Sequence, residues 1–122
     1  MGHRPSLLKR LTASAHHLDA AELRSEVERL SCKPLLELRR GVVVSVTGRL
    51  RAVVYNPRET VPTLEAELFD GSAAVMLVWL GRRRIAGIEP GRRLVARGRV
   101  GVHDDRLAIY NPWYELQSAA HG

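Results

Sequence analysis

Thr63-Leu64-Glu65-Ala66-Glu67-Leu68-Phe69-Asp70-Gly71-Ser72-Ala73-Ala74-Val75-Met76-Leu77-Val78-Trp79-Leu80 is the stretch that decides the architecture of this chain. Up to Phe69, apolar and polar residues alternate. Leu64, Ala66 and Leu68 share one side and Glu65 and Glu67 the other, the period of a half-buried strand. From Ala73 to Leu80 the chain is almost uniformly apolar, as in a strand covered on both faces. Asp-Gly between two such runs is a strong hairpin signal, because both central residues of a type I′ turn need positive φ. The expectation is a tight antiparallel pair in the middle of the chain.

Upstream, Val42, Val44, Val46, Leu50, Ala52 and Val54 fall on one parity, and Ser45, Thr47, Arg49 and Arg51 on the other. That is a long first strand, with Gly48 placed where it must bend. Asn56 to Pro62 reads as a loop. Downstream, Gly81 to Ile88 reads as a short, basic, weakly helical connection that caps the barrel's bottom. Glu89-Pro90-Gly91 then turns the chain into a fourth strand, Arg92 to Val102, with Leu94, Ala96, Gly98, Val100 and Val102 on its inner parity. Asp104-Asp105 turns into a fifth, Leu107 to Tyr110, which Asn111-Pro112 breaks. Trp113 and Tyr114 then pack the barrel's end, with base stacking as the alternative.

The N-terminal part is of another kind. Met1 to His17 reads as a loosely held arm with a short helical turn at Leu7, Leu8 and Leu11. Asp19 is a candidate N-cap with Glu22 three residues on. Ala20, Leu23, Val27 and Leu30 then make one apolar face of a helix that Pro34 ends. That face should pack against the barrel or against a second copy of the chain, which would make a homo-oligomer. The organisation expected is therefore an arm and amphipathic helix over 1–40, a barrel over 41–116 and a tail over 117–122.

The chain has 122 residues, enough for one domain with a modest core. Cys32 is its single cysteine, so no intrachain disulfide forms, which fits a reducing cytoplasm. The apolar runs, such as Val42 to Val46, are too short to cross a bilayer as a helix. A formal charge of +6 points to a polyanionic partner. The bias is nearly all arginine, 17 Arg against 2 Lys, and GC-rich coding alone can produce it. Between Gly41 and Leu116 there are 11 Arg against 8 Asp plus Glu, so where the charges lie matters more than their sum.

Three strands, a short connection and two strands, the first long and curved, is the order of an OB-fold. The expected fold class is thus mainly β, a five-stranded OB-fold barrel with an N-terminal α-helix. An SH3-like barrel is the rival, and the connection between the third and fourth strands favours OB. Val46-Thr47-Gly48-Arg49-Leu50, Leu68-Phe69-Asp70-Gly71-Ser72, Leu77-Val78-Trp79, Glu89-Pro90-Gly91 and Asn111-Pro112-Trp113-Tyr114-Glu115-Leu116, in this order, resemble the OB-folds of the RecG wedge-domain type. The chain also looks like the stand-alone OB-fold proteins of actinobacteria, with their short length and Arg-rich composition. The resemblance covers residues 41–116 and implies binding of single-stranded or junction DNA in repair or recombination. There is no Gly-x-x-x-x-Gly-Lys-Ser/Thr phosphate loop, so it does not extend to a motor activity.

Single-stranded nucleic acid is held by a basic groove along its phosphates and by aromatic faces under its bases. The candidates for this role are Arg49 and Arg51 on the outer parity of the first strand, and Tyr55 and Arg58 at the first loop. Arg97 and Arg99 on the fourth strand, His103 and Arg106 beside the last turn, and Tyr110 complete the set. Glu65 and Glu67 oppose phosphate on the outer side of the second strand. A solvated surface is the plainer reading of the arginines, and Arg82-Arg83-Arg84 reads as auxiliary contacts or a solvated cap. Nothing in the sequence makes a catalytic, metal or cofactor site: His16 and His17 are adjacent, and Cys32 has no partner at zinc spacing. The function expected is non-catalytic binding of single-stranded or branched nucleic acid, DNA favoured over RNA. The alternative is an OB-type protein-interaction module.

Overall fold

The computed structural model describes residues 7–118, with side chains from 18 onward. The expected tail beyond 118 and the first six residues of the arm lie outside it. Helix α1 (Leu7–Arg29) leads through a single 3-10 turn at Leu35–Glu37 into six strands: β1 (Val43–Asn56), β2 (Thr63–Phe69), β3 (Ala74–Leu80), β4 (Arg93–His103), β5 (Arg106–Tyr110) and β6 (Trp113–Leu116). The hydrogen-bonded order is β1-β2-β3-β5-β4-β6, and β1 also pairs with β4. Five strands therefore close into a barrel-like ring, with β6 pairing on β4 at Leu94–Arg97, along the edge where β5 pairs further on. All pairs are antiparallel except β3 with β5.

The ring encloses Val46, Leu50, Leu64, Ala66, Leu68, Leu94, Ala96 and Val100, the inward residues that period-two alternation predicts, together with Val75, Leu77 and Ile109. Ile85 and Ile88 join this core from the connection between β3 and β4. That connection is a run of turns rather than the weak helix expected. Its two isoleucines plug the ring without any regular backbone around them.

Four local expectations are corrected. The Asp-Gly hairpin exists, but Asp70 does not have positive φ; Gly71 does, at 94°. With Asp70 N–H bonded to the Ala73 carbonyl, Gly71 takes the first central position, as in a type II′ turn. Asp70 is buried instead as an acceptor. One carboxylate oxygen takes Ser72 N–H, Ser72 O–H and Ala73 N–H, and the other takes Leu35 N–H at 2.8 Å. The two-residue turn with both φ positive is Asp104-Asp105, at 50° and 64°.

The second correction is the start of α1, which lies well before Asp19. Asp19 is therefore no N-cap; its carboxylate reaches Arg49 at 2.9 Å. The apolar face of α1 does pack on its own ring, with Leu23 and Val27 buried. A Cβ on Gly71 would stand 2.3 Å from the Ala20 carbonyl oxygen, so only glycine lets α1 approach this turn.

Third, β1 changes parity. Its register with β2 slips between Leu50 and Ala52, a β-bulge that sends Arg51 and Ala52 outward together. Beyond the bulge Val53 and Tyr55 pack on the core, and Val54 is exposed although alternation put it inside. Fourth, Trp113 does not close the barrel. Its ring is 52% exposed on β6, and its neighbour Tyr114 packs edge-on against the buried Trp79 instead.

Candidate nucleic-acid interface

The ring divides the nine expected contact residues among three places. On the outer face of β2, β5 and the flanking loops lie five of them, four in contact with carboxylates and Tyr110 beside one of the four. Glu67 binds Arg51 at 3.0 Å and Arg106 at 2.8 Å, and the Arg51 guanidinium also lies over the Phe69 ring. Arg58, from the loop after β1, reaches Asp104 in the β4–β5 turn at 2.5 Å and Glu65 at 3.6 Å. The two loops that flank an OB binding surface are thereby joined by an ion pair.

His103 and Tyr110 belong to the same network. The Tyr110 hydroxyl lies 2.8 Å from Nδ1 of His103 and 3.1 Å from the Val102 carbonyl. Nε2 then faces Glu65 at 3.3 Å and Asp104 at 3.4 Å, with Arg58 at 3.3 Å. Burial pushes the Glu65 carboxyl up, but hydrogen bonds from Thr63, His103 and Asn56 outweigh it and leave its pKa below the ordinary value. Glu67 is lowered in the same way, burial opposing and Arg106 and Arg51 prevailing. Burial first, and Asp104 second, raise Tyr110, so its hydroxyl stays protonated. Three arginines thus stand paired with three carboxylates on this face.

The second place is under α1. Arg49 donates to Asp19 and to the Gly91 carbonyl, beside an Arg93 that pairs with Glu22 at 3.2 Å. It ties the helix to β1 and is part-buried. Tyr55 is turned toward the core by the bulge, with the exposed Arg83 at 5.2 Å from its ring centre.

The third place is the outer face where β1, β4 and β6 run side by side. Here Ser45, Arg97 and Trp113 form one cross-strand row, and Val43 and Arg99 the next. Arg97 donates Nε–H to Ser45 Oγ at 2.9 Å, and its guanidinium lies over one face of the Trp113 ring, 5.3 Å from its centre. Arg99 donates to the Gly41 carbonyl at 2.6 Å. Among the described residues, neither has a carboxylate within ion-pair reach. Sequence reasoning named both arginines but placed Trp113 in the barrel's end. The signal available was its register: two residues past the break at Pro112, a β6 strand sets it directly opposite Arg97.

No family model and no curated protein sequence matches this chain. Among solved structures, it is similar to RecG bound to a three-way DNA junction. The TM-score is 0.61 and the identity 21%, over 70% of this chain and 12% of that one. The likeness is one of fold. It is consistent with the closed five-stranded ring, and it concerns a small part of the RecG chain. No helix among the described residues is long and apolar enough to cross a membrane.

Proposed function

We propose that this chain is a non-catalytic OB-fold domain that binds single-stranded or branched nucleic acid, with DNA favoured. The observation that supports it most is the division of the arginines just described. Arg97 and Arg99 stand on a strand face without carboxylate partners, in a ring whose fold is similar to part of a junction-bound RecG structure. An arginine already paired to glutamate must break that pair before it can serve a phosphate, whereas an unpaired one need not. A role in repair or recombination would follow from branched substrates.

The test is fluorescence anisotropy of the full chain with labelled oligo-dT, oligo-rU, a duplex and a three-way junction at two salt concentrations. Binding to oligo-dT or the junction that weakens steeply with salt is expected. Absence of binding to all four at low salt would contradict the reading.

The second reading is a protein-interaction module. Leu36, Val42 and Val43 are exposed around the approach to β1, next to the same face. A partner held there would bind with little dependence on salt.

A further inference from the structure

The outer face of an OB ring across its second and third strands is the usual place to look for a bound strand. In this chain the arginines of that face are paired with carboxylates, and the loops beside it are joined by Arg58 and Asp104. The β1–β4–β6 face is the reverse. It offers an exposed indole, two arginines of β4 fixed by a hydroxyl and a carbonyl, and no carboxylate paired to either. Arg39 and Arg40 extend it. They are exposed, precede the Gly41 that receives Arg99, and make no ion pair among the described residues.

We infer that single-stranded nucleic acid is bound on the β1–β4–β6 face, with a base stacked on Trp113 and phosphates on Arg97 and Arg99. The inference rests on the nucleic-acid reading above and assigns its site. Three physical points carry it. An indole face is the strongest stacking surface a side chain offers, and Trp113 is held by regular β pairing rather than a loose loop. The Arg97 guanidinium at its ring is already oriented by Ser45, so little freedom is lost when a phosphate arrives. Arg97 and Arg99 lie two residues apart on one strand, about 6.6 Å, so both face the same passing backbone. Glu115, two residues beyond Trp113 on the same parity, limits the track at its far end and sends the strand toward Arg99 and Gly41.

The two tryptophans make the test direct, because Trp79 is buried and Trp113 is exposed. Titrating the full chain with unlabelled oligo-dT should quench tryptophan emission, and Trp113→Phe should abolish the quench while costing only a few-fold in affinity. Trp113→Ala should weaken binding about tenfold or more, the size of one lost base stack. Arg97→Gln with Arg99→Gln should weaken it comparably at an unchanged melting temperature, and this pair serves if the alanine variant folds poorly. Wild-type binding without a Trp113 quench, or unaltered by both variants, would overturn this site and leave the proposed function standing. If wild type binds no nucleic acid at low salt, the proposed function falls, and this inference with it.

Discussion

On the β2–β5 side of the ring, each arginine finds an acid: Arg51 and Arg106 share Glu67, and Arg58 takes Asp104 and Glu65. On the β4–β6 side, Arg97 finds a serine and an indole, and Arg99 a carbonyl. Both sets are arginines on the outside of the ring. What separates them is what closure sets beside each. β2 presents Glu65 and Glu67 to Arg58 of the first loop, Arg51 of β1 and Arg106 of β5, while β6 sets a tryptophan opposite Arg97 of β4. An arginine's role is therefore decided by its neighbours in the ring more than by its own exposure. On one side the guanidinium groups hold the structure together; on the other they are left for a ligand.

The frame common to both sides should give the largest effect. Asp70→Ala removes the acceptor of three backbone N–H groups and one hydroxyl at the β2–β3 turn, where the carboxylate is buried. A loss of about 3 kcal/mol is expected, the penalty for orphaned buried donors, read as a fall in the urea midpoint. A change under about 0.5 kcal/mol, the range of an ordinary surface substitution, would show that this turn does not organise the ring.

A smaller effect separates the faces. Glu65→Gln with Glu67→Gln should lower stability by about 1 kcal/mol, since the pairs are partly exposed and screened. Arg97→Gln with Arg99→Gln should not alter it. Equal destabilisation by both variants in parallel urea melts would erase the distinction.

Acid sharpens the same contrast. The folded-state pKa values of Glu65 and Glu67 lie below 4.5, so their contribution is present above that pH and is lost as pH falls through the lowered values. Urea midpoints should therefore decline below about pH 4.5, and decline less in the double glutamine variant. Oligo-dT binding on the β4–β6 face should stay flat as pH falls from about 7 to about 4, because arginine does not titrate there. A binding profile that follows the carboxylates would move the site to the other face.

Much of this architecture is legible in the sequence. The alternation of Leu64, Ala66 and Leu68, the apolar run to Leu80 and the breaks at Pro90 and Pro112 mark a closed five-stranded ring. What alternation cannot carry is a register slip. One extra residue at Arg51 sends Tyr55 inward and Val54 outward, because the side-chain period is two. Asp19 looks like a cap because capping chemistry is local, whereas its partner Arg49 lies thirty residues away. The pairing of Arg58 with Asp104 and of Arg106 with Glu67 is likewise a product of closure. Their positions are distant in sequence, and only the ring brings them together.

The most direct measurement is the salt dependence of oligo-dT binding in two variants of equal charge change, Arg97→Gln/Arg99→Gln and Arg51→Gln/Arg106→Gln. Four phosphate contacts, to Arg39, Arg40, Arg97 and Arg99, give a log–log slope of about −3 for a single strand, and each lost contact reduces it by about 0.7. The first variant should show a slope of about −1.4 and the second the wild-type slope, by the same relation. A first variant that keeps the wild-type slope while the second loses it would contradict the account, placing the strand on the carboxylate-lined face after all.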